Sequence, residues 1–425
     1  MEKYSLCNGV DGIFVENNRF NTTLVSFNFY LPLKKENIPK NTLLAYVLSS
    51  CSNKYRTFAQ LNYALDMLYG ADLSINVNKT GNAQCIKIAV SVINDSLTAD
   101  GGAVIDKAVN LLLELIFDPK TENGAFKEED LKREKRKITE QISAEINDKR
   151  LYARKRLIAE MFADEAYGCS ALGTADGINA VTGKELYDTW TQFLRTAYLR
   201  VHIVGAAMPA GIFDSVKQKF ACINRTPDMS FKNVTVLKPT DEVNYCTDTM
   251  DVAQGKLVMG FSSELSGQDA YVLAVATDIF GGGPYSKLFE NVREKMSLCY
   301  YCAARAVRLK GYVTVDCGVE KDKAEKTETE ILKQLEDVKN GDFSDFTFAA
   351  SVKSMISGLT AYNDSLTALD GWYSGCLDFE NIKNPQDIIE IINSVTRQDV
   401  INAAKGIKLH TVYKLMPGES ADNEN

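Results

Sequence analysis

The sequence predicts an α+β protein of two homologous domains, each an antiparallel-rich sheet with helices packed on one face. Three observations point there. The order of strand, helix, helix, hairpin and long helix in the first half returns in the second half with matching lengths. Strand-like segments alternate apolar and polar residues with period 2, whereas the segments between them carry apolar residues at helical spacing. The chain has 425 residues, more than one ordinary core organises and suited to two domains of roughly 200 residues each. The rival reading, one large α+β domain whose halves match by accident, needs every one of those matches to be coincidence.

The first half opens with a strand at 24–31, where Val25, Phe27, Phe29 and Leu31 alternate with smaller or polar residues. An apolar helix at 41–51 follows. A second helix starts after Thr57, an N-cap residue, with Phe58, Leu61, Leu65 and Leu68 as its stripe and Gly70 at its end. Strands at 73–77 and 85–92 flank Gly81-Asn82, a hairpin signal. A helix carrying Val104, Ala108, Leu111, Leu112 and Leu115 then stops at Asp118-Pro119. The second half repeats this plan: strand 256–265, helix 269–280, Gly281-Gly282-Gly283, helix 286–296, strands 301–307 and 312–319 around Lys310-Gly311, and helix 323–338. Closing strands fall at 201–205 and 409–415. Proline-bearing irregularity marks a linker, giving domains 1–223 and 242–425 with 224–241 between them. Only the tail, 419–425, has the composition of a disordered segment.

Apolar residues make up 45% and charged residues 24%, a globular mix, and the net charge is −8. Nucleic acid and anionic membranes need a basic footprint, so neither is expected as a partner. Ten scattered cysteines, with no export-signal pattern at 1–8 and no apolar run of the ~18 residues a membrane span needs, read as reduced thiols of a cytoplasmic protein. There are two histidines, His202 and His410. Neither has a second histidine or a glutamate at helical spacing, so each reads as a structural or surface residue.

Gly281-Gly282-Gly283-Pro284-Tyr285-Ser286-Lys287-Leu288-Phe289, continuing through Arg293-Glu294-Lys295, resembles the GGG-x-x-S-R-L-F-x-x-x-R-E-K signature of the insulinase/pitrilysin metallopeptidases. Tyr167-Gly168 with Leu172-Gly173-Thr174 is similar to the stretch that closes that family's first domain. The resemblance runs from about Phe14 to Met416 and is strongest for the two-domain branch that includes the mitochondrial processing peptidase. It implies an H-x-x-E-H on the first helix, where two imidazoles one turn apart hold Zn²⁺ and the glutamate is the base, with a downstream glutamate as third ligand. Counting back from Lys54-Tyr55, that motif falls on Thr42-Leu43-Leu44-Ala45-Tyr46. Thr42, Ala45 and Tyr46 thus replace histidine, glutamate and histidine. The downstream position falls on Gln141, with neighbouring Glu140 as the alternative. No metal, no cofactor and no peptidase activity are expected of the chain alone.

The resemblance also implies an arginine and a tyrosine, seven residues apart, that contact the substrate backbone and the carbonyl oxygen. Arg293 and Tyr300 match, with Tyr301 the rival. This pattern resembles the non-catalytic subunits of heterodimeric relatives, which complete the site of a zinc-bearing homologue. The partners implied are such a homologue, or self-association, and a peptide or unfolded segment. The alternative is a non-enzymatic peptide- or protein-binding scaffold. The stretch Asn28-Phe29-Tyr30-Leu31-Pro32-Leu33 resembles zinc-less bacterial proteins associated with the aminopentanol modification of elongation factor P. A homodimeric catalyst using other residues finds no carboxylate pair, Ser–His or Cys–His arrangement to support it. Cys299-Tyr300-Tyr301-Cys302 is a C-x-x-C that stands alone, lacking the further ligands of a zinc site and the βαβ setting of a redox motif. The triple glycine lacks the G-K-[ST] of a phosphate loop and reads as a tight turn. The mixed-sign run 127–137 reads as the solvated face of a helix, or a docking face, and Trp190 and Phe193 read as core.

Overall fold

A computed structural model describes residues 1–99, 101–265, 267 and 269–418, so the tail 419–425 lies outside the described residues. The fold is mixed α+β, with sheets carrying packed helices. Its first compact unit comprises Met1–Ser143, Cys169–Asn233 and Ala361–Asn384. The strands there are β1 (Glu2–Cys7), β2 (Val10–Glu16), β3 (Thr22–Pro32), β4 (Asp72–Thr80) and β5 (Ala83–Ile93), a short hairpin of β6 (Thr121–Glu122) and β7 (Ala125–Phe126), and β8 (Tyr198–Gly205). The sheet order is β1-β2-β8-β3-β5-β4, antiparallel except for the parallel pair β2–β8. Phe27 lies opposite Ile88 and Val201, and Phe29 opposite Ile86 and Leu199. These residues, helix Ile38–Leu48 and helix Val104–Phe117 share one apolar core. The first helix starts three residues earlier than expected because Pro39, at the start, has the φ a helix needs and no N–H to lose. It is apolar nearly all round, as a helix buried on several sides must be. Thr57 caps the next helix, accepting from the Gln60 amide at 3.2 Å.

Two strands of this six-stranded sheet were not legible in the sequence. β1 is short and mostly polar, and β2 carries Gly12 in its middle, which reads as a breaker. The glycine is needed there: a Cβ at Gly12 would sit 2.7 Å from the Phe213 ring, which packs onto the strand.

The second unit comprises Ala144–Gly168, Val234–Thr360 and the chain from Pro385. Its strands are β9 (Asn244–Met250), β10 (Gly255–Ser262), β11 (Cys299–Val307), β12 (Tyr312–Val319) and β13 (Lys408–Pro417). The order β11-β12-β10-β13-β9, with β13–β9 parallel, is that of β4-β5-β3-β8-β2 in the first unit. Strand order and the single parallel pair both recur, so the repeat read from the sequence is a repeat of topology.

The compact units do not follow the contiguous boundaries 1–223 and 242–425. Each half lends a segment to the other unit. Helix Lys149–Met161 buries Ala153, Leu157 and Met161 against Val258, Tyr413 and Leu415 of the second sheet. Gly260 lets it approach, since a Cβ there would meet the Met161 sulfur at 2.2 Å. In return, helix Leu366–Ser374 packs Leu366, Leu369 and Tyr373 onto Ile13, Leu24 and Val204 of the first sheet, on the face opposite the main core. An apolar stripe says that a helix is buried, not which sheet buries it. The expected linker 224–241 is likewise divided between the units and partly buried, with Phe231 in the first and Leu237 in the second. Helix Glu128–Ala144 is largely solvated, as its charge run predicts, but buries Asp130 and Glu134 and pairs Asp130 with Lys120 at 3.0 Å.

Candidate functional site

Helix Ile38–Leu48 presents Thr42, Ala45 and Tyr46, and helix Glu128–Ala144 presents Gln141. The fold brings these positions together. The Tyr46 hydroxyl donates to Gln141 Oε1 at 2.6 Å, and Lys137 Nζ lies 5.4 Å from the Tyr46 ring centroid. Glu140 is exposed and faces Arg136 instead, at 3.6 Å, so of the two it is Gln141 that touches the first helix. Thr42 is fully buried, accepting from Gln84 Nε2 at 3.2 Å and donating to the Ala171 carbonyl at 3.3 Å. Burial raises the Tyr46 phenol above its ordinary range, so at neutral pH it is a donor with no charge to offer a cation. Of these positions, Tyr46 and Gln141 bond each other, whereas Thr42 bonds Gln84 and Ala171 and Ala45 offers only a methyl. Among the described residues, no group of three or more His, Cys, Asp or Glu side chains is placed to hold a metal ion.

Arg293 and Tyr300 lie in the second unit, each at a break in regular structure. The helix after the triple glycine is π-helical over Leu288–Lys295, with the Met296 amide donating to the Asn291 carbonyl at 3.1 Å. Such wide turns are rare and concentrate at functional sites. Arg293 sits inside it, its guanidinium 4.6 Å from the Phe289 ring centroid and 3.6 Å from Glu294. Tyr300 is the extra residue of a β-bulge: Cys299 pairs with Val319 and Tyr301 with Gly318, leaving Tyr300 unpaired. Its side chain is 61% exposed and its hydroxyl donates to Glu320 at 3.3 Å. Tyr301, the rival, is half-buried under Arg150, 4.1 Å from its ring centroid, where Arg150 pairs with Asp316. Tyr301 is thus committed to packing, and Tyr300 points to solvent with its hydroxyl on Glu320.

The glycine-led signature has a packing explanation. A Cβ on Gly281 would lie 2.7 Å from the Ala304 backbone nitrogen, and one on Gly282 would lie 1.9 Å from Asp278. Asp278 accepts from Tyr285 at 2.7 Å and from Ser351 at 2.6 Å. Buried Ser286 bonds the Phe289 amide at 3.4 Å, and Lys287 reaches Asp337 at 3.2 Å. The signature fixes the start of the helix that carries Arg293.

Sequence reasoning took His202 as a lone structural or surface residue and missed the network around it. Asp370, on the exchanged helix, accepts from Ser26 at 2.6 Å and Lys87 at 2.5 Å, and lies 2.8 Å from His202 Nδ1. Arg200 Nη2 donates to Tyr30 at 2.5 Å and to the Cys376 carbonyl at 2.7 Å, and Tyr30 donates to the Ser374 carbonyl at 2.8 Å. Burial lowers the His202 pKa, so it is neutral and donates through Nδ1. Burial alone would raise Asp370, but the bonds from His202 and Lys87 hold it below the ordinary carboxylate range. Serine and histidine both bond the aspartate, not each other, and His202 Nε2 has no partner. The base of a Ser–His–Asp triad must face its serine, so this cluster is a clasp for helix Leu366–Ser374. The one sequence signal for it was polar Ser26 and Asn28 alternating with Val25, Phe27 and Phe29. His410 bonds only its neighbour, Thr411 Oγ1, at 2.8 Å.

A family profile described as Peptidase M16 inactive domain matches residues 180–355. A Bacillus subtilis relative named as the probable inactive metalloprotease YmfF is 31% identical over 97% of this chain and 97% of its own length. This chain belongs to the M16 peptidase family. Within M16 it is an inactive homologue, and the fold agrees. A conserved protein from Enterococcus faecalis superposes with a TM-score of 0.90 at 26% identity, over 99% of both chains. An M16 inactive-domain protein from Pseudomonas fluorescens shares the fold alone, with a TM-score of 0.78 at 16% identity over 99% of both chains. No helix among the described residues is long and apolar enough to cross a membrane.

Proposed function

We propose that this M16 chain is the non-catalytic subunit of a heterodimeric peptidase, pairing with a zinc-bearing homologue and presenting Arg293 and Tyr300 to an extended peptide. The observation that supports this most is the coincidence of two backbone irregularities with those two residues. A π-turn holds Arg293 and a bulge turns Tyr300 outward, whereas at the degenerate zinc positions Tyr46 and Gln141 bond each other. Arginine and phenol donors aimed at a peptide carbonyl stabilise the charge that grows on oxygen as water attacks, and lone donors of this kind are worth on the order of 10²–10³ in rate. Half-sites on separate chains make one site when an interface fixes their geometry.

The test is reconstitution. The purified chain should hydrolyse no peptide, and a mixture with a zinc-bearing M16 homologue of the same cell should do so in a chelator-sensitive way. In that mixture Arg293→Ala and Tyr300→Phe should lower kcat/KM by on the order of 10²-fold. Full activity of the Arg293→Ala mixture would remove the site assignment. If a complex forms and binds peptide without hydrolysing it, the scaffold reading takes over, with elongation factor P and its modifying enzyme as the proteins to assay.

A further inference from the structure

The C-x-x-C of Cys299 and Cys302 stands alone in the sequence, but the fold adds a third thiol. Cys302 on β11 lies directly opposite Cys317 on β12, with the two Sγ atoms 3.0 Å apart. Residues three apart on a regular strand point to opposite faces. The bulge at Tyr300 inserts one residue between Cys299 and Cys302, which returns Cys299 to the face shared by Cys302 and Cys317. None of the three is in a disulfide. β11 is the edge strand of its sheet, and all three cysteines are buried. Cys299 is the most exposed of the three, at 9%, against 7% and 0% for Cys302 and Cys317.

We propose that Cys299, Cys302 and Cys317 form an oxidation site, in which a hydroperoxide oxidises Cys299 and a neighbouring thiol closes the product into a disulfide. The three sulfurs are not equivalent. The neighbouring Cys302 and Cys317 thiols and the charge of Arg293 lower the Cys299 thiol well below its ordinary range. Burial pushes Cys302 and Cys317 the other way, keeping them protonated. The attacking group is therefore Cys299. Its thiolate displaces alkoxide or hydroxide from the peroxide oxygen, forming the sulfenic acid, and the departing oxyanion takes a proton to become alcohol or water. The Cys302 sulfur then attacks the sulfenic sulfur, and water leaves with the Cys302 proton. In sum, two thiols and one hydroperoxide become one disulfide, one alcohol and one water. Cys317 can take over the bond by thiol–disulfide exchange with Cys302, the residue it faces. A dithiol reductant reverses the site. The directly opposed pair Cys302 and Cys317 has the Cα separation a disulfide needs. The inference goes beyond the peptide-binding reading and does not depend on it.

The experiment treats the reduced full-length chain with hydrogen peroxide at about pH 6, alkylates at intervals, and maps disulfides by mass spectrometry. At that pH an ordinary thiol, titrating near ~8.5, is less than ~1% ionised, so an activated Cys299 should react on the order of a hundredfold faster than exposed Cys222. The expected product is one intrachain bond confined to Cys299, Cys302 and Cys317. The double variant Cys302→Ser, Cys317→Ser should accumulate a Cys299 sulfenic acid that dimedone traps, and Cys222→Ser should leave the rate unchanged. Should Cys299→Ser disturb the fold, wild-type mapping and Cys222→Ser decide alone. Oxidation that falls first on Cys222, or a bond at the wild-type rate in a folded Cys299→Ser chain, would overturn the proposal.

Discussion

Tyr46 and Gln141 are 95 residues apart and meet at a single hydrogen bond. Their contact joins two of the four positions that the family resemblance aligns with zinc ligands and base, and it is a bond between neutral groups. It also supplies a prediction. The combined variant Thr42→His, Ala45→Glu, Tyr46→His and Gln141→Glu should bind zinc stoichiometrically by elemental analysis, whereas the parent chain should carry none; a parent with stoichiometric zinc would contradict the inactive reading. Asp370 makes the sharper stability prediction. Its carboxylate is the shared acceptor for Ser26, Lys87 and His202, so Asp370→Ala strands a buried cation and two donors and should cost on the order of 3–5 kcal/mol, read by chemical denaturation. None of these partnerships was legible from sequence spacing, because each joins segments far apart in the chain.

Helix Leu366–Ser374 is held to its sheet by groups that titrate, which gives the clasp a pH dependence. His202 has its pKa lowered by burial from the ordinary 6.5. The folded form stays neutral while the unfolded chain takes up a proton, so this contribution is present above about pH 6.5 and is lost as pH falls below it. Asp370 is held below its ordinary 3.8, so its contribution is present above that value and is lost only in stronger acid. Both act in one direction. The melting temperature should fall between about pH 7 and pH 5, by roughly 2–4 °C for each kcal/mol lost, and His202→Gln should flatten that slope. A slope unchanged by His202→Gln would show that His202 does not carry it. The helix of Arg293 is a different case at the same scale. A helix was expected there from 286 to 296, and one forms, but its π-helical winding leaves no trace in apolar spacing.

Across the whole molecule, the exchange of 144–168 and 361–384 makes neither half of the chain a unit by itself. A fragment ending at residue 223 would lack the helix that covers Ser26, Asn28, Arg200 and His202, all fully buried in the intact protein. Fragment 1–223 should therefore unfold without cooperativity or aggregate, and co-expression with 224–425 should restore a cooperative transition in calorimetry. A cooperatively folded 1–223 would refute the exchange. Arg225 adds a second tie, in the segment expected to be a linker. It donates to the carbonyls of Asn8 at 3.1 Å and Gly9 at 3.3 Å, and to those of Leu194 and Ala197. Arg225→Met keeps the bulk but leaves those carbonyls unpaired, and should cost about 1–3 kcal/mol.

The sequence by itself determined the repeat, the order of the main elements and the family. All of these rest on local information: periodicity within a segment, or the residue type at a motif position. Only the tertiary structure decided that Gln141 rather than Glu140 faces Tyr46, and that Tyr300 rather than Tyr301 turns outward. It alone gathered Ser26, Lys87, His202 and Asp370, and set Cys317 beside Cys302. These are matters of register and of which surface covers which, and a one-residue bulge or an exchanged helix changes them without altering the pattern of any single segment.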